Sequence, residues 1–460
     1  MKNPSVFLLL LAMTIAIPSA AAPTFAAVPS VRLITLDPGH FHAGLLQKTM
    51  YPEIDRTVYV YAPDSDDVLD HLKRVSGYNH RAENPTDWRE AVYTGPDYFE
   101  RMLREKPGNV VAISGNNLRK AEYIKGCIDA GLNVLADKPM AIDAAGFVQL
   151  KDAFAAAHAK GVILYDIMTE RSEITTILQR EFSLLPDVFG RLETGTADHP
   201  AVEMESVHYY YKFVSGSALK RPAWFFDVRQ QGEGLVDVGT HLVDLVQWEC
   251  FPEQALDYAK DIQVLSARHW PTLLTAAEFN TVTGLDRFPD FLKGSVQNSV
   301  LSDYANGEIN YTIKGIHAKV TEKWVYKAPD GSGDTHFSVL RGTKCILTIL
   351  QHAEQGYKPT LYLKPAAGTD PAAFAKALAA GLAQIRLKYP GVELKPLSNG
   401  SWQAAIPPTY DVGHEAHFAQ VTERFLQYLA AGRLPDWEEP GMLAKYYTTT
   451  RALELARKSP

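Results

Sequence analysis

An acid, a histidine and a second acid are spaced for one helix face near the middle of the chain. Residues 232–248 are apolar around nearly the whole circumference of a predicted helix, which indicates a buried helix. Asp237, His241 and Asp244 lie at positions i, i+4 and i+7 and therefore share one side of it. Buried polar side chains either satisfy one another or do chemistry, so a structural seam and a proton-transfer site both stay open here. A single histidine without cysteine disfavours a metal site on this helix.

Other polar residues stand where predicted strands end. In the first third of the chain, short strands alternate with helical stretches, the strands at residues 31–36, 57–61, 109–113, 133–136 and 162–165. This alternation predicts a Rossmann-type, doubly wound parallel sheet, in which ligands bind past the carboxyl ends of the strands. The turn 37–42, the loop 114–117 and Lys138 all follow such strands, so we expect them to border one crevice.

The first turn is a poor match to the dinucleotide fingerprint G-x-G-x-x-G. Only the middle glycine, Gly39, is kept, and by itself the motif would not predict a nucleotide site. Asp64, just past the second strand, stands about where a ribose-binding acid is found and favours NAD over NADP. His40 and His42 occupy the turn without a clear third ligand, so we expect hydrogen-bonded or cofactor-adjacent histidines and no metal.

Beyond residue 170 the pattern predicts an α+β domain with a large, mostly antiparallel open sheet. Strands are expected at residues 191–196, 205–211, 308–313, 318–326, 336–341 and 344–349, and helices at 170–182, 371–389, 411–431 and 440–458. The alanine-rich helix 371–389 is interpreted as a surface insertion, and the last two helices as closing the fold. The predicted domains are residues 31–168 and 169–460.

Composition limits the classes of function. The chain has 460 residues, 46% hydrophobic and 22% charged, which suits two globular domains. A net charge of −7 and a sequence pI near 6.1, without a basic stripe, argue against a nucleic-acid partner. Three scattered cysteines, Cys127, Cys250 and Cys345, do not describe a disulfide scaffold; we expect buried free thiols, with one bridge left open.

The N-terminus predicts export. Lys2 precedes an apolar run at residues 6–17, and small residues with Ala-x-Ala cleavage options follow it. This arrangement is typical of a secretory signal peptide, here residues 1–22, with a linker at residues 23–30. The run is short for a membrane span, so we expect a mature protein without a membrane segment, in the periplasm or secreted.

Together these segments resemble the Gfo/Idh/MocA family of oxidoreductases. The resemblance covers roughly residues 31–350 and is carried by the strand–turn–helix at the start, by Ala130-Gly131…Asp137-Lys138-Pro139, and by Gly232-x-Gly234-x-x-x-Asp237-x-Gly239-x-His241-x-x-Asp244. Members of this family mostly oxidise or reduce sugars, cyclitols and their derivatives with NAD(P). A smaller branch cleaves glycosidic bonds by transient oxidation on a retained NAD.

The resemblance implies roles for individual residues. Lys138 takes the place of the lysine of the family's Glu-Lys-Pro motif, and Asp237 and His241 take those of the acid and histidine of the catalytic helix. The chain departs from the family pattern at Asp137, which replaces the glutamate, and at Gly115-Asn116, which replaces Thr-Pro; both changes bear on cofactor choice and affinity. The residues implied to bind the cofactor are Gly39, His40, Phe41, Asp64, Ser114, Asn116, Asn117, Asp137 and Lys138.

Physical chemistry supports the same catalytic assignment. Oxidation of an alcohol needs a proton acceptor beside the hydroxyl, and the pKa of histidine suits proton transfer near neutrality. His241 is assigned as that base, Asp237 as the group that orients it or binds a neighbouring hydroxyl, and Lys138 as the donor that stabilises charge on the reacting oxygen. Asp244 is expected to brace the helix. The expected substrate-binding residues, with the aromatic ones stacking on a sugar ring, are Trp224, Tyr209, Asp237 and His241.

Three hypotheses follow. The first is an exported, homo-oligomeric NAD(P)-dependent oxidoreductase acting on a hydroxyl of a small-molecule sugar, glycoside or cyclitol. Free nicotinamide cofactor is expected to be scarce outside the cytosol, so a tightly bound NAD or NADP would be needed. This motivates the second hypothesis, a redox-neutral glycoside-cleaving enzyme with a retained NAD. The third, suggested by the eroded glycine turn, is a cofactor-free carbohydrate-binding protein on the same scaffold.

Overall fold

Six short strands form the sheet of the first domain. The computed structural model describes residues 31–214 and 217–458, so the predicted signal peptide and linker, residues 1–22 and 23–30, lie outside the described residues. The strands are β1 (Leu33–Leu36), β2 (Thr57–Ala62), β3 (Arg89–Thr94), β4 (Val110–Ile113), β5 (Asn133–Asp137) and β6 (Leu164–Ile167). The helices between them are α1 (His42–Leu45), α2 (Asp66–His80), α3 (Tyr98–Glu105), α4 (Lys120–Asp129) and α5 (Ala144–Lys160).

The sheet is parallel throughout, in the order β3-β2-β1-β4-β5-β6. Strands β1 and β4 are apolar and fully buried, as expected for parallel strands covered on both faces. The chain order reverses between them, and a crevice opens beyond the carboxyl ends of two such strands. The predicted Rossmann-type sheet is therefore confirmed, with the turn 37–42 and the loop 114–117 side by side at this reversal.

The second domain is organised around a larger, open sheet. Its strands, together with the separate pair β8 and β9, are β7 (Val202–Tyr211), β8 (Phe213–Val214), β9 (Ser217–Ala218), β10 (Ile262–Thr275), β11 (Val296–Gln297), β12 (Val300–Ile313), β13 (Ile316–Lys327), β14 (Thr335–Arg341), β15 (Cys345–Leu350), β16 (Thr360–Pro365), β17 (Glu393–Pro396) and β18 (Trp402–Ala405). The main path runs β10-β12-β13-β7-β14-β15-β16-β18-β17, and β11 pairs with β12. Only the β13–β7 pair of this sheet is parallel among the described strands, which confirms the predicted mostly antiparallel sheet.

Seven helices complete the described part of the chain. They are α6 (Ile174–Ser183), α7 (Gly239–Cys250), α8 (Tyr258–Asp261), α9 (Ala276–Thr283), α10 (Pro371–Lys388), α11 (His414–Ala431) and α12 (Glu438–Ala456). Helix α10 is more than a surface insertion, because Phe374, Leu378 and Ile385 are buried in the core of the second domain. Helix α11 places Phe418 and Phe425 in the core of the first domain. The C-terminal helices therefore hold the two domains together.

The structure corrects two elements predicted from sequence. Residues 191–196 do not form a strand; they form isolated bridges at Leu192 and Gly195. Residues 232–248 are not one helix but a 3-10 turn, Gly234–Val236, followed by α7. The backbone breaks at Asp237, with φ −88° and ψ −87°, so Asp237 precedes the helix on which it was predicted.

A close approach of β12 explains this break. A Cβ built on Gly234 would overlap the carbonyl oxygen of Ala305, which lies in β12. The 3-10 turn is therefore pressed against the sheet, and α7 starts only after it.

The three cysteines, Cys127, Cys250 and Cys345, are free thiols within the described ranges. No helix in those ranges is both long and apolar enough to cross a membrane.

Candidate active site

A cleft of about 1710 Å³ lies between the carboxyl edge of the parallel sheet and the second domain. The first domain contributes His40, Phe41 and Lys138 to its lining, and the second contributes Asp237 and His241. These residues come from the turn after β1, the end of β5 and the start of α7. Side chains predicted from widely separated parts of the sequence therefore do meet in one cavity.

An ion pair joins the two domains inside the cleft. The Nζ atom of Lys138 donates to Oδ1 of Asp237 at 2.5 Å, with both side chains nearly buried. Gln231 donates from Nε2 to the other oxygen, Oδ2, at 3.0 Å. Burial alone would raise the pKa of Asp237, but the charge and hydrogen bond of Lys138 and the Gln231 bond outweigh it, so this pKa lies below its usual 3.8. Asp237 is a carboxylate at neutral pH.

His241 supplies a neutral imidazole beside this ion pair. It lies in the first turn of α7, and burial and the nearby Lys138 charge hold its pKa well below the usual 6.5. Its Nδ1 atom is buried and has no hydrogen-bond partner among the described residues. A neutral imidazole that lines the cleft is the form that can accept a proton from a bound hydroxyl.

A second polar cluster surrounds Asp137 at the end of β5. Its Oδ2 atom lies 3.2 Å from Nδ1 of His40 and 2.9 Å from Nδ1 of His42, and it accepts from the Ser114 hydroxyl at 3.0 Å. Burial alone would raise the pKa of Asp137, but both histidines hold it well below the usual 3.8. Burial and His40 hold the pKa of His42 well below 6.5. The structure therefore brings the predicted Ser114, His40 and Asp137 together, and adds His42.

The asparagines predicted to bind cofactor form hydrogen bonds between the two domains. Asn116 donates from Nδ2 to Oε1 of Gln230 at 2.7 Å. Asn117 donates to the backbone carbonyl of Gln231 at 2.7 Å, and its own backbone N–H donates to the carbonyl of Gln230. Asn117 also lines the cleft. Asp64, the predicted ribose-binding acid, is exposed and outside the lining of this cleft.

The first turn is covered from the second domain by Trp224. A Cβ built on Gly39 would lie 3.2 Å from the indole ring of Trp224, whose Nε1 donates to Oδ2 of Asp67 at 2.8 Å. The backbone N–H groups of Gly39 and His40 both donate to the carbonyl of Ser114. The amides that would approach a pyrophosphate are thus engaged within the protein. Trp224 is also not positioned as predicted, because it lies over the first turn rather than in the cleft lining.

Other aromatics line the cleft in place of the two predicted ones. Tyr209 is buried in β7 and is absent from the lining, to which Phe225 and Trp324 contribute. The Arg221 guanidinium lies 4.5 Å from the Phe225 ring centre and 4.9 Å from that of Trp324. These contacts depend on packing between a loop and β13, which no local spacing in the sequence indicates.

Sequence reasoning missed several polar residues of the cleft. His208 lies 2.9 Å from Asp334, which also binds Lys212, and both histidines of His414-x-x-His417 border the same space. His208 and Asp334 are far apart in sequence and meet only because β7 pairs with β14. The one local signal was the histidine pair at i and i+3 in a predicted closing helix.

Asp244 points to a different environment from His241. Arg171 donates to both of its oxygens, at 2.7 and 2.6 Å, and Lys445 donates to Oδ1 at 2.8 Å. Asp244 therefore braces α7 against the 3-10 turn Glu170–Ser172 and against α12. The polar positions 237, 241 and 244 do not form one functional stripe.

Only the nicotinamide end of a dinucleotide finds polar side chains in this crevice. Lys138, His241 and Asp137 line the cleft at that end. These are donors and acceptors suited to a nicotinamide ring and its ribose. At the first turn the engaged amides and Trp224 leave a pyrophosphate no free backbone donors at Gly39 and His40.

The comparisons with known proteins agree with this architecture. Residues 178–457 match the family model described as "Putative oxidoreductase C terminal domain". A crystal structure described as a "putative oxidoreductase" from Parabacteroides merdae is 56% identical, with a TM-score of 0.93 over 94% of this chain and 99% of that one. No curated protein matches the chain.

More distant solved structures share the fold. GenD2 from gentamicin A biosynthesis, in complex with NAD, is 16% identical with a TM-score of 0.57, covering 95% of this chain and 97% of that one. Levoglucosan dehydrogenase in complex with NADH and levoglucosan is 13% identical with a TM-score of 0.58, covering 93% and 97%. Both carry a nicotinamide dinucleotide on the same two-domain architecture.

Proposed function

Since this chain belongs to the oxidoreductase C-terminal domain family and has the fold of Gfo/Idh/MocA-type oxidoreductases, we propose that it uses an NAD-type cofactor to oxidise a hydroxyl-bearing carbon of a sugar, glycoside or cyclitol, or to reduce the corresponding carbonyl. The observation that supports this proposal best is the Lys138–Asp237 ion pair with His241 in the same cleft. The distant structures that carry NAD or NADH with the same fold support the cofactor class.

The residues of the cleft would divide the work as follows. The cofactor, when bound, accepts or supplies the hydride. His241 takes the proton of the substrate hydroxyl, because its imidazole is neutral and the residue lines the cleft. Lys138 hydrogen-bonds the oxygen as charge develops on it. Asp237 holds the Lys138 ammonium at 2.5 Å, and Gln231 fixes Asp237 in turn.

The polarity of the cleft supports the proposal that the substrate is a sugar. Lys212, Arg221, Asp334 and Gln351 line it beside the aromatic rings of Phe225 and Trp324. Many hydrogen-bonding groups with an aromatic wall suit a polyhydroxylated ring, which has polar edges and an apolar C–H face. We also propose that the protein is exported, on the basis of its N-terminal pattern, and that subunits pair through the open sheet.

The test measures cofactor reduction by the purified protein. NAD or NADP is offered with a panel of pyranoses, glycosides and cyclitols, and nicotinamide absorbance is followed. Lys138→Met, Asp237→Asn and His241→Ala should each lower kcat/KM by about 10²-fold or more. The matched controls are Lys151→Met and His158→Ala, which change an exposed lysine and histidine on α5 and should leave the rate unchanged. Wild-type rates in all three cleft variants would contradict the assignment.

A further inference from the structure

Two imidazoles and one carboxylate converge at the bottom of the cleft. His40, His42 and Asp137 offer one ligand atom each, and these atoms all lie within 4.8 Å of one another. The first two come from the turn after β1 and the third from the end of β5, so the parallel sheet itself brings them together. His42 and Asp137 are buried, and His40 is partly exposed to the cleft.

Two of the three separations among these atoms are close to those of ligands around one ion. Ligands about 2.1 Å from a first-row metal, at tetrahedral or octahedral angles, lie about 3.0–3.4 Å from each other. The observed separations from Asp137 Oδ2 are 3.2 Å to His40 Nδ1 and 2.9 Å to His42 Nδ1. A hydrogen-bonded arrangement would have to crowd three donors, including Ser114, onto one oxygen.

The other oxygen of the same carboxylate gives an independent indication. Oδ1 of Asp137 is buried and accepts no hydrogen bond from any described residue, although Oδ2 is surrounded by three neighbours. A buried carboxylate oxygen without a partner is costly and points to a group that the protein binds. An ion held at Oδ2 would bring its own water or substrate oxygens within reach of Oδ1.

The nearby lysines do not occupy this position. Lys138 is paired with Asp237, and Lys120 donates to the backbone carbonyl of Asp137 rather than to its carboxylate. The site therefore presents two imidazoles and one carboxylate, and the charge of the neighbouring Lys138 is compensated by Asp237.

We propose that His40, His42 and Asp137 bind one divalent first-row transition metal ion. Three protein ligands leave open coordination positions, which is the arrangement of catalytic rather than structural metal sites. His40, His42 and Asp137 all line the cleft that also holds Lys138 and His241. Resting on the proposed function, the ion would bind an oxygen of the substrate and lower the pKa of its hydroxyl, without changing its own oxidation state.

The test measures metal binding by the full-length protein, without substrate or dinucleotide. The protein is stripped with a chelator and titrated with Zn²⁺ by calorimetry, and Co²⁺ is added separately to record its visible spectrum. One Zn²⁺ per chain is expected, with Co²⁺ bands that indicate nitrogen and oxygen ligands. His40→Ala and Asp137→Asn should each weaken Zn²⁺ binding at least about tenfold.

A matched histidine in the same cleft serves as the control. His208→Ala removes another histidine beside a carboxylate, but Asp334 there is already bound by Lys212, so Zn²⁺ affinity should not change. Thermal unfolding checks that each variant folds. If Asp137→Asn does not fold, His40→Ala still tests the site, because His40 is partly exposed. Unchanged binding in His40→Ala, or loss in His208→Ala, would overturn the site. Zn²⁺ binding with no cofactor reduction would instead refute only the proposed reaction.

Discussion

Replacement of Lys445 by methionine should destabilise the protein strongly. Lys445 is fully buried in α12 and donates to Asp244 at 2.8 Å, while its Nζ lies 2.6 Å from Asp166 in β6. Arg171 binds Asp244 and Glu438 in the same cluster. The cluster holds two cations and three carboxylates, all 3% exposed or less, so its formal charge is −1.

The charges that remain set the size of the effect. Lys445→Met leaves one cation with three carboxylates, and removing one partner of a buried pair costs about 3–5 kcal/mol of unfolding free energy. Asp244→Asn instead leaves the pairs Arg171–Glu438 and Lys445–Asp166 and a cluster without net charge. Its cost should be only that of the weakened hydrogen bonds, about 1–3 kcal/mol.

Urea unfolding followed by tryptophan fluorescence measures both variants beside the wild type. The expected order of stability is wild type, then Asp244→Asn, then Lys445→Met. Lys445→Arg is the conservative control, because it keeps the charge. A Lys445→Met protein within about 1 kcal/mol of the wild type, or one more stable than Asp244→Asn, would refute the reasoning from charge balance.

Three further predictions concern the first turn and buried histidines. Trp224→Ala should tighten binding of NAD, measured by calorimetry, because it uncovers the turn at Gly39; weaker binding would show that the indole supports the cofactor. Gly115→Ala should abolish a stable fold or lower the melting temperature sharply, since the new Cβ overlaps a backbone carbonyl of the first turn; a normal melting curve would contradict this. Burial lowers the pKa of His71 and His336 from 6.5 to about 4. Between pH 6.5 and about 4, each of these histidines therefore binds a proton in the unfolded chain but not in the folded protein. Unfolding free energy should therefore be unaffected above pH 6.5 and fall by about 1.4 kcal/mol per pH unit for each histidine below it, and His71→Gln should flatten that slope in urea titrations.

The sequence was sufficient for the elements that repeat a simple physical pattern. The buried strands of the first sheet are short apolar runs bounded by turns, and their positions were predicted within a few residues. Edge strand β3 was missed because its polar and apolar residues alternate too little. Helix α2 was missed because only Val68, His71 and Val75 of it are buried. Strand β10 was missed because exposed polar residues interrupt its apolar ones.

The candidate site was also predicted only in part from the sequence. Lys138, Asp237 and His241 were predicted from residue type and resemblance, and the structure places them in one cleft. The prediction that positions 237, 241 and 244 share one helical face was wrong, because the helix is interrupted where Gly234 is pressed against β12. The partners of His42 and Asp137 came from different strand ends, and local spacing carries no information about such distant neighbours.

Gln231 contacts residues of both the first-domain loop after β4 and the catalytic segment at Asp237, and these contacts oppose separation of the two domains. It receives Asn117 from the loop after β4 and holds Asp237, which holds Lys138 at the end of β5. Since both strand ends belong to the same sheet, these contacts form a closed loop that crosses the domain boundary twice. A hinge opening between the domains must therefore break both crossings before the two strand ends are released from Gln231 and Asp237.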